Sequence, residues 1–173
     1  MKILMKTCLL LFMVIGFGTT TFAQANATAS ANTTATIVTP LSITKTVDLE
    51  FGNVAVGSTA GTVVMNTASG RTAGGGVTLP TTTTGTVTAA KFEVAGTATY
   101  TYAITIPSSN LTIANGTNTM IVNAFTSNPA TAGVLDATGK QDLFVGATLN
   151  VGASQAAGAY ESATDFEVTV VYN

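Results

Sequence analysis

The stretch Thr164–Asn173, "TDFEVTVVYN", sets Phe166, Val168, Val170 and Tyr172 in alternation with Glu167, Thr169 and Val171. A repeat of two is the spacing at which successive side chains leave opposite faces of an extended chain, so the segment predicts a strand with its Phe–Val–Val–Tyr face buried. A sequence that stops on such a strand carries the expectation of an edge kept free for a partner.

The same rhythm runs back through the chain. Leu41, Ile43, Val47, Leu49 and Phe51 hold the odd positions, interrupted by Lys45, and Pro40 confines the start of that strand to an edge or a beginning. Further apolar segments follow at 61–66, at the Gly-rich 69–80 and at 85–96. Phe92 and Val94, then Gly96 and Thr97, then Tyr100, Tyr102, Ile104 and Ile106 read as a hairpin. Segments at 111–114, 118–125, 143–151 and 166–172 complete the series. Turn signals recur roughly every 8–14 residues, which argues an all-β sandwich or barrel of about eight to ten strands; the expected fold is an immunoglobulin-like or jelly-roll-like β-sandwich over a single domain, residues 37–173. Thr is the commonest residue and Val, Ala, Gly and Asn are plentiful, an all-β composition. No segment after the leader keeps helical apolar spacing between caps, so little or no helix is expected.

The first residues, "MKILMKTCLLLFMVIGFGTTTFAQANA", place Lys2 and Lys6 before an apolar run from Cys8 to Phe17 and small residues after it. That is the layout of a secretory signal peptide over residues 1–23, cleaved between Ala23 and Gln24 or, alternatively, after Ala25. Cys8 opens the apolar run, where a lipidated Cys would follow it. The expected product is exported to the periplasm, the cell surface or the medium, has no membrane span once the signal is removed, and has no Cys for a disulfide. Four cations then face eight carboxylates, a net charge of about −4, and nucleic acid is not an expected partner.

Residues 24–36 form a low-complexity Ala/Thr/Asn arm with Ala at 25, 27, 29, 31 and 35. Two readings stay open: a disordered leader, or a donor or edge strand with its alanines on one face. Four or five alanines supply only about 3–4 kcal/mol of burial, whereas ordering each backbone residue costs about 1–2 kcal/mol. A donor segment therefore has to extend through Ile37 and Val38.

Catalytic chemistry has few candidates. His is absent, which removes the usual general base and the commonest zinc ligand. Asp48 and Glu50 lie opposite Leu49 and Phe51, and Asp165 and Glu167 lie opposite Phe166 and Val168, so both carboxylate pairs are expected to be solvated. No window holds the six to eight oxygens that calcium takes, although Glu161, Asp165 and Glu167 are the nearest approach to such a loop. "GRTAGGG" lacks the Lys and following helix of a phosphate loop and reads as turn glycines. No cofactor and no enzymatic activity are expected.

Three pieces, "PLSITKTVDLEFGNVAVG" (40–57), "LDATGKQDLFVGATLNVGASQAAGAY" (135–160) and "FEVTVVYN" (166–173), resemble the exported bacterial family known as domain of unknown function 4402, over most of residues 36–173. A looser likeness is to pilus subunits assembled by a periplasmic chaperone and an outer-membrane usher. In those subunits an incomplete immunoglobulin-like sandwich has a groove filled first by a chaperone strand and then by the N-terminal arm of the next subunit. Tyr172 matches their penultimate aromatic, while Gly158 lies two residues further from the end than their pattern. The likeness implies a fimbria-like structural or adhesive subunit whose partners are copies of itself and a periplasmic chaperone. It implies subunit contacts at Ile37, Val38, Phe166, Val168, Val170 and Tyr172. The alternative is a self-contained secreted sandwich that binds a small ligand or polysaccharide.

Overall fold

Leu143, Val145, Ala147, Leu149 and Val151 are all buried, and all point to one side of a single strand, β9 (Lys140–Val151). That side is the inner face of a sandwich. The computed structural model describes residues 26–173; the expected signal peptide and its cleavage point at Ala23 and Gln24 lie outside the described residues, as does the start of the arm. Residues 26–36 contain no strand or helix, and Ile37–Asn173 form one compact unit.

β9 is flanked on one side by β7 (Asn118–Asn128). Its other side is shared: β4 (Ala90–Ala95) pairs with Lys140–Val145, and β2 (Ala55–Met65) pairs with Thr148–Val151. β1 (Ser42–Val47) lies outside β4, and β3 (Arg71–Thr78) outside β2. β6 (Leu111–Asn115) and then β10 (Glu161–Ser162) follow β7, giving eight strands. A second sheet of three strands, in the order β11 (Thr169–Tyr172), β5 (Thr101–Thr105), β8 (Ala132–Val134), covers part of that face. Every pairing is antiparallel and no helix occurs among the described residues, so the all-β sandwich expected from the sequence is the fold.

The two layers share one core. Val63, Phe92, Val94 and Val122 from the large sheet join Tyr102 and Ile104 from the small one. Tyr102 is 0% exposed, and its hydroxyl donates to Gln141 Oε1 at 2.7 Å, as a buried Tyr requires. Burial pushes that hydroxyl's pKa up.

Four local expectations are corrected. Eleven strands exceed eight to ten because β8 and β10, three and two residues long, are too short to show a periodicity. Of the glycines of "GRTAGGG", only Gly70, just before the strand, belongs to a turn, closed by Asn66, and Gly74, Gly75 and Gly76 lie inside β3. There Gly75 has φ +68° beside a register shift in β2, and a Cβ on Gly76 would collide with the Thr59 carbonyl. Phe92–Ile106 is not a hairpin: both edges of β4 are taken by β1 and β9, and the connector at 96–100, with Thr99 at φ 65°, carries the chain across to the other sheet. The last strand begins at Thr169, three residues later than expected. Its partner β5 ends at Thr105, and Pro107 just beyond has no N–H to donate.

Asp136 closes the turn into β9, its Oδ1 accepting from the Lys140 N–H at 3.0 Å and from the Thr138 N–H and Oγ1 at 2.7 Å each. These bonds, led by that from Lys140, hold its carboxyl below the ordinary 3.8. The extra stability of the ionised form is complete above the unfolded value and is lost as pH falls through the lowered folded one. Asp136→Asn is therefore expected to flatten the acid limb of a urea-midpoint against pH curve below about pH 4, leaving its neutral shape unchanged. Leu143→Ala, at a position 0% exposed, is expected to cost about 2–5 kcal/mol in urea unfolding. Val64→Ala, at 44% exposure on the outer face, is expected to cost at most about 0.5 kcal/mol.

Candidate functional site

Three strands cannot cover the inner face of eight. Where β5 and β11 stop, the face of the large sheet continues and forms the floor of a groove of about 1030 Å³. Ala90, Val122, Leu149 and Val151 lie deep in it, with Leu111, Ile113 and Met120 half-buried beside them. Alternation along β4, β6, β7 and β9 puts these apolar side chains on one surface.

Two non-strand segments make the walls. One is Asp48–Val54, held by Arg71, whose guanidinium donates to the Phe51 carbonyl and, at 3.0 Å, to the Asn53 carbonyl. Asn53 is also tied to the 83–84 segment, its N–H donating to the Thr84 carbonyl at 2.7 Å and its Nδ2 to the Thr83 carbonyl at 2.9 Å. The other wall is Gln155–Ser162. Gln155 Nε2 donates to the Tyr160 hydroxyl at 2.9 Å, and that hydroxyl donates to the Ala156 carbonyl at 2.7 Å. Gly158 also lines this wall.

Phe166 ends the groove. Its ring lies 5.1 Å from that of Phe125 and 6.1 Å, edge to face, from that of Phe92. It also lines a smaller depression of about 490 Å³ beside Thr105–Leu111.

The sequence-predicted contact residues divide into two sets. Phe166, Val168, Val170 and Tyr172 come together against the core. The Tyr172 ring packs edge to face on Tyr100 at 5.7 Å; its hydroxyl donates to the Thr39 carbonyl at 2.9 Å and accepts from the Thr97 N–H at 2.7 Å. Ile37 and Val38, just before Thr39, remain on the surface at 97% and 37% exposure. β11 pairs only with β5, so its outer backbone edge has no partner strand among the described residues, and neither does that of β8.

The four carboxylates weighed for catalysis are exposed. Asp48, Glu50 and Asp165 line the groove, and Glu167 lines the smaller depression. Lys45 pairs with Asp48, and that hydrogen bond, followed by the Asp48 charge, raises the Lys45 pKa. No group of three or more His, Cys, Asp and Glu side chains among the described residues is arranged to hold a metal ion. No helix long and apolar enough to cross a membrane occurs among the described residues. Sequence reasoning missed Arg71 as a wall anchor and Leu111, Ile113 and Met120 as groove lining.

Arg71→Met removes both bonds to the first wall. The Asn53 amide is then expected to exchange with solvent roughly tenfold or more faster, while β9 amides keep their protection in the same hydrogen-exchange experiment.

Comparison with curated proteins and with solved structures gives no match. The family model described as "Domain of unknown function (DUF4402)" matches residues 41–172. With the match covering most of its length, the chain belongs to the DUF4402 family.

Proposed function

We propose that the protein is an exported, non-catalytic structural or adhesive surface subunit, fimbria-like, that assembles by β-strand addition. The observation that carries this reading is the incomplete second layer. Three strands face eight, and the uncovered part of the larger sheet is an apolar groove. A bare strand edge offers backbone hydrogen bonds and an apolar floor offers side-chain pockets, the two requirements for capturing an extended segment. The donor is another chain: the next copy through residues 24–38, or a periplasmic chaperone before it. Ile37 supports the first of these, being a large apolar side chain left at the surface where it stabilises nothing in its own domain. Burying it adds about 1.5–3 kcal/mol to the small contribution of the alanines.

A second reading, a self-contained secreted sandwich holding a small ligand or polysaccharide, is favoured by the groove volume, at the upper end of the roughly 300–1,000 Å³ usual for ligand sites. Oligomeric state separates the two. The exported chain is expected to form a ladder of multimers that resists SDS and collapses on heating, and deletion of 24–38 is expected to abolish it. A stable monomer with or without those residues, by gel filtration and light scattering, overturns the subunit reading.

A further inference from the structure

Ion pairing divides the described residues into two regions. Away from the groove, Glu93 pairs with Lys140 at 2.8 Å and Asp142 with Lys91 at 2.9 Å, while Asp136 is occupied by its own turn. At the groove, Lys45 takes Asp48, and Glu50, Glu161 and Asp165 line the walls without an ion pair among the described residues. The lining thus holds four carboxylates and one cation, a net charge of −3, or −2 with the Arg71 guanidinium that is bonded to the first wall.

Two of these carboxylates are carried on ordered backbone, one on each wall. Glu50 exchanges backbone hydrogen bonds with Thr88 at 2.9 and 3.0 Å. Glu161 lies in β10, paired with Ala114 of β6. Below them the floor is apolar. An anionic ligand is repelled by such a mouth, and a purely apolar one leaves the carboxylates unused. The chain's own arm, residues 26–38, has no charged side chain.

We infer that the groove takes an extended apolar segment of a different protein, flanked by Lys or Arg side chains that reach Glu50, Glu161 and Asp165. This rests on the strand-addition reading and names the chemistry of the partner. The segment belongs to the second of the two proposed donors, the chaperone-type partner; the next copy's arm, which has no charged side chain, leaves these carboxylates unused.

Labelled peptides of about nine residues, long enough for one strand, test it by fluorescence anisotropy with the full exported chain. One alternating Val/Thr core carries Lys at both ends, a second carries Gln, a third Glu, and a fourth peptide is residues 26–38. At low salt the Lys-flanked peptide is expected to bind about five- to tenfold tighter than the Gln-flanked one, with the Glu-flanked one weakest, and the gap closes at high salt. The triple variant Glu50→Gln, Glu161→Gln, Asp165→Asn is expected to lose the gap and keep its affinity for the Gln-flanked peptide. If it does not fold, Asp165→Asn alone, in a segment outside any strand, is expected to narrow the gap. Equal binding of the Lys- and Gln-flanked peptides, or a gap that survives these variants, overturns the inference while leaving strand addition standing. Binding by none of the four overturns both.

Discussion

The inner stripe of β9, from Leu143 to Val151, is the surface that the remaining strands keep from water. Because it is continuous over nine residues, each neighbour has to present its own apolar side chains in step with it. β7 does so by breaking its own register. Val122 and Phe125 are three apart, which alternation alone sends to opposite faces, yet both are buried. A bulge between Asn123 and Thr126, with Ala124 at φ 48°, absorbs the extra residue. On the other side the partner of β9 changes from β4 to β2. Gly146 occupies that junction, where a Cβ would strike the Met65 carbonyl.

Such a sheet has more inner face than three strands can cover, and the groove follows from the mismatch. What keeps it from collapsing is polar. Arg71 fixes one wall through the carbonyls of Phe51 and Asn53, and the Gln155–Tyr160–Ala156 chain fixes the other. The charges follow the same division. The three lysines among the described residues lie where they neutralise Asp48, Asp142 and Glu93, while Glu50, Glu161 and Asp165, outside any ion pair there, line the groove. Being exposed, those carboxylates cost little in the free protein and act over about 8–10 Å at moderate salt. They can select what approaches without burdening the fold.

Alternation made the strand content and the inward face of Phe166, Val168, Val170 and Tyr172 legible in the sequence, because burial on one face of a strand has a fixed period. Pairing across the sandwich was not legible. The link at 96–100 has the glycine and length of a hairpin loop, and only the saturation of β4 by β1 and β9 sends the chain to the other sheet. Nor did composition separate a glycine turn from a glycine strand: in β3 the glycines answer the close approach of the Ala60 and Thr59 carbonyls, a feature of the partner strand. The groove was hidden for a similar reason. Leu111 and Ile113 alternate like any core pair, and what distinguishes them is the strand that does not lie above them.

Phe166 closes one end of the groove. Its ring is wedged against Phe92 and Phe125 and borders both the groove and the smaller depression. Displacing it exposes a large apolar side chain, about 1.5–3 kcal/mol, and breaks two aromatic contacts worth about 0.5–1.5 kcal/mol each. An incoming segment that seats short of Phe166 avoids that cost entirely and still covers Leu111, Ile113 and Met120. The residue that looked from the sequence like the first of a terminal strand therefore separates the domain's own core from the groove, and under the proposed strand addition an incoming segment would be confined to the floor formed by β4, β6, β7 and β9.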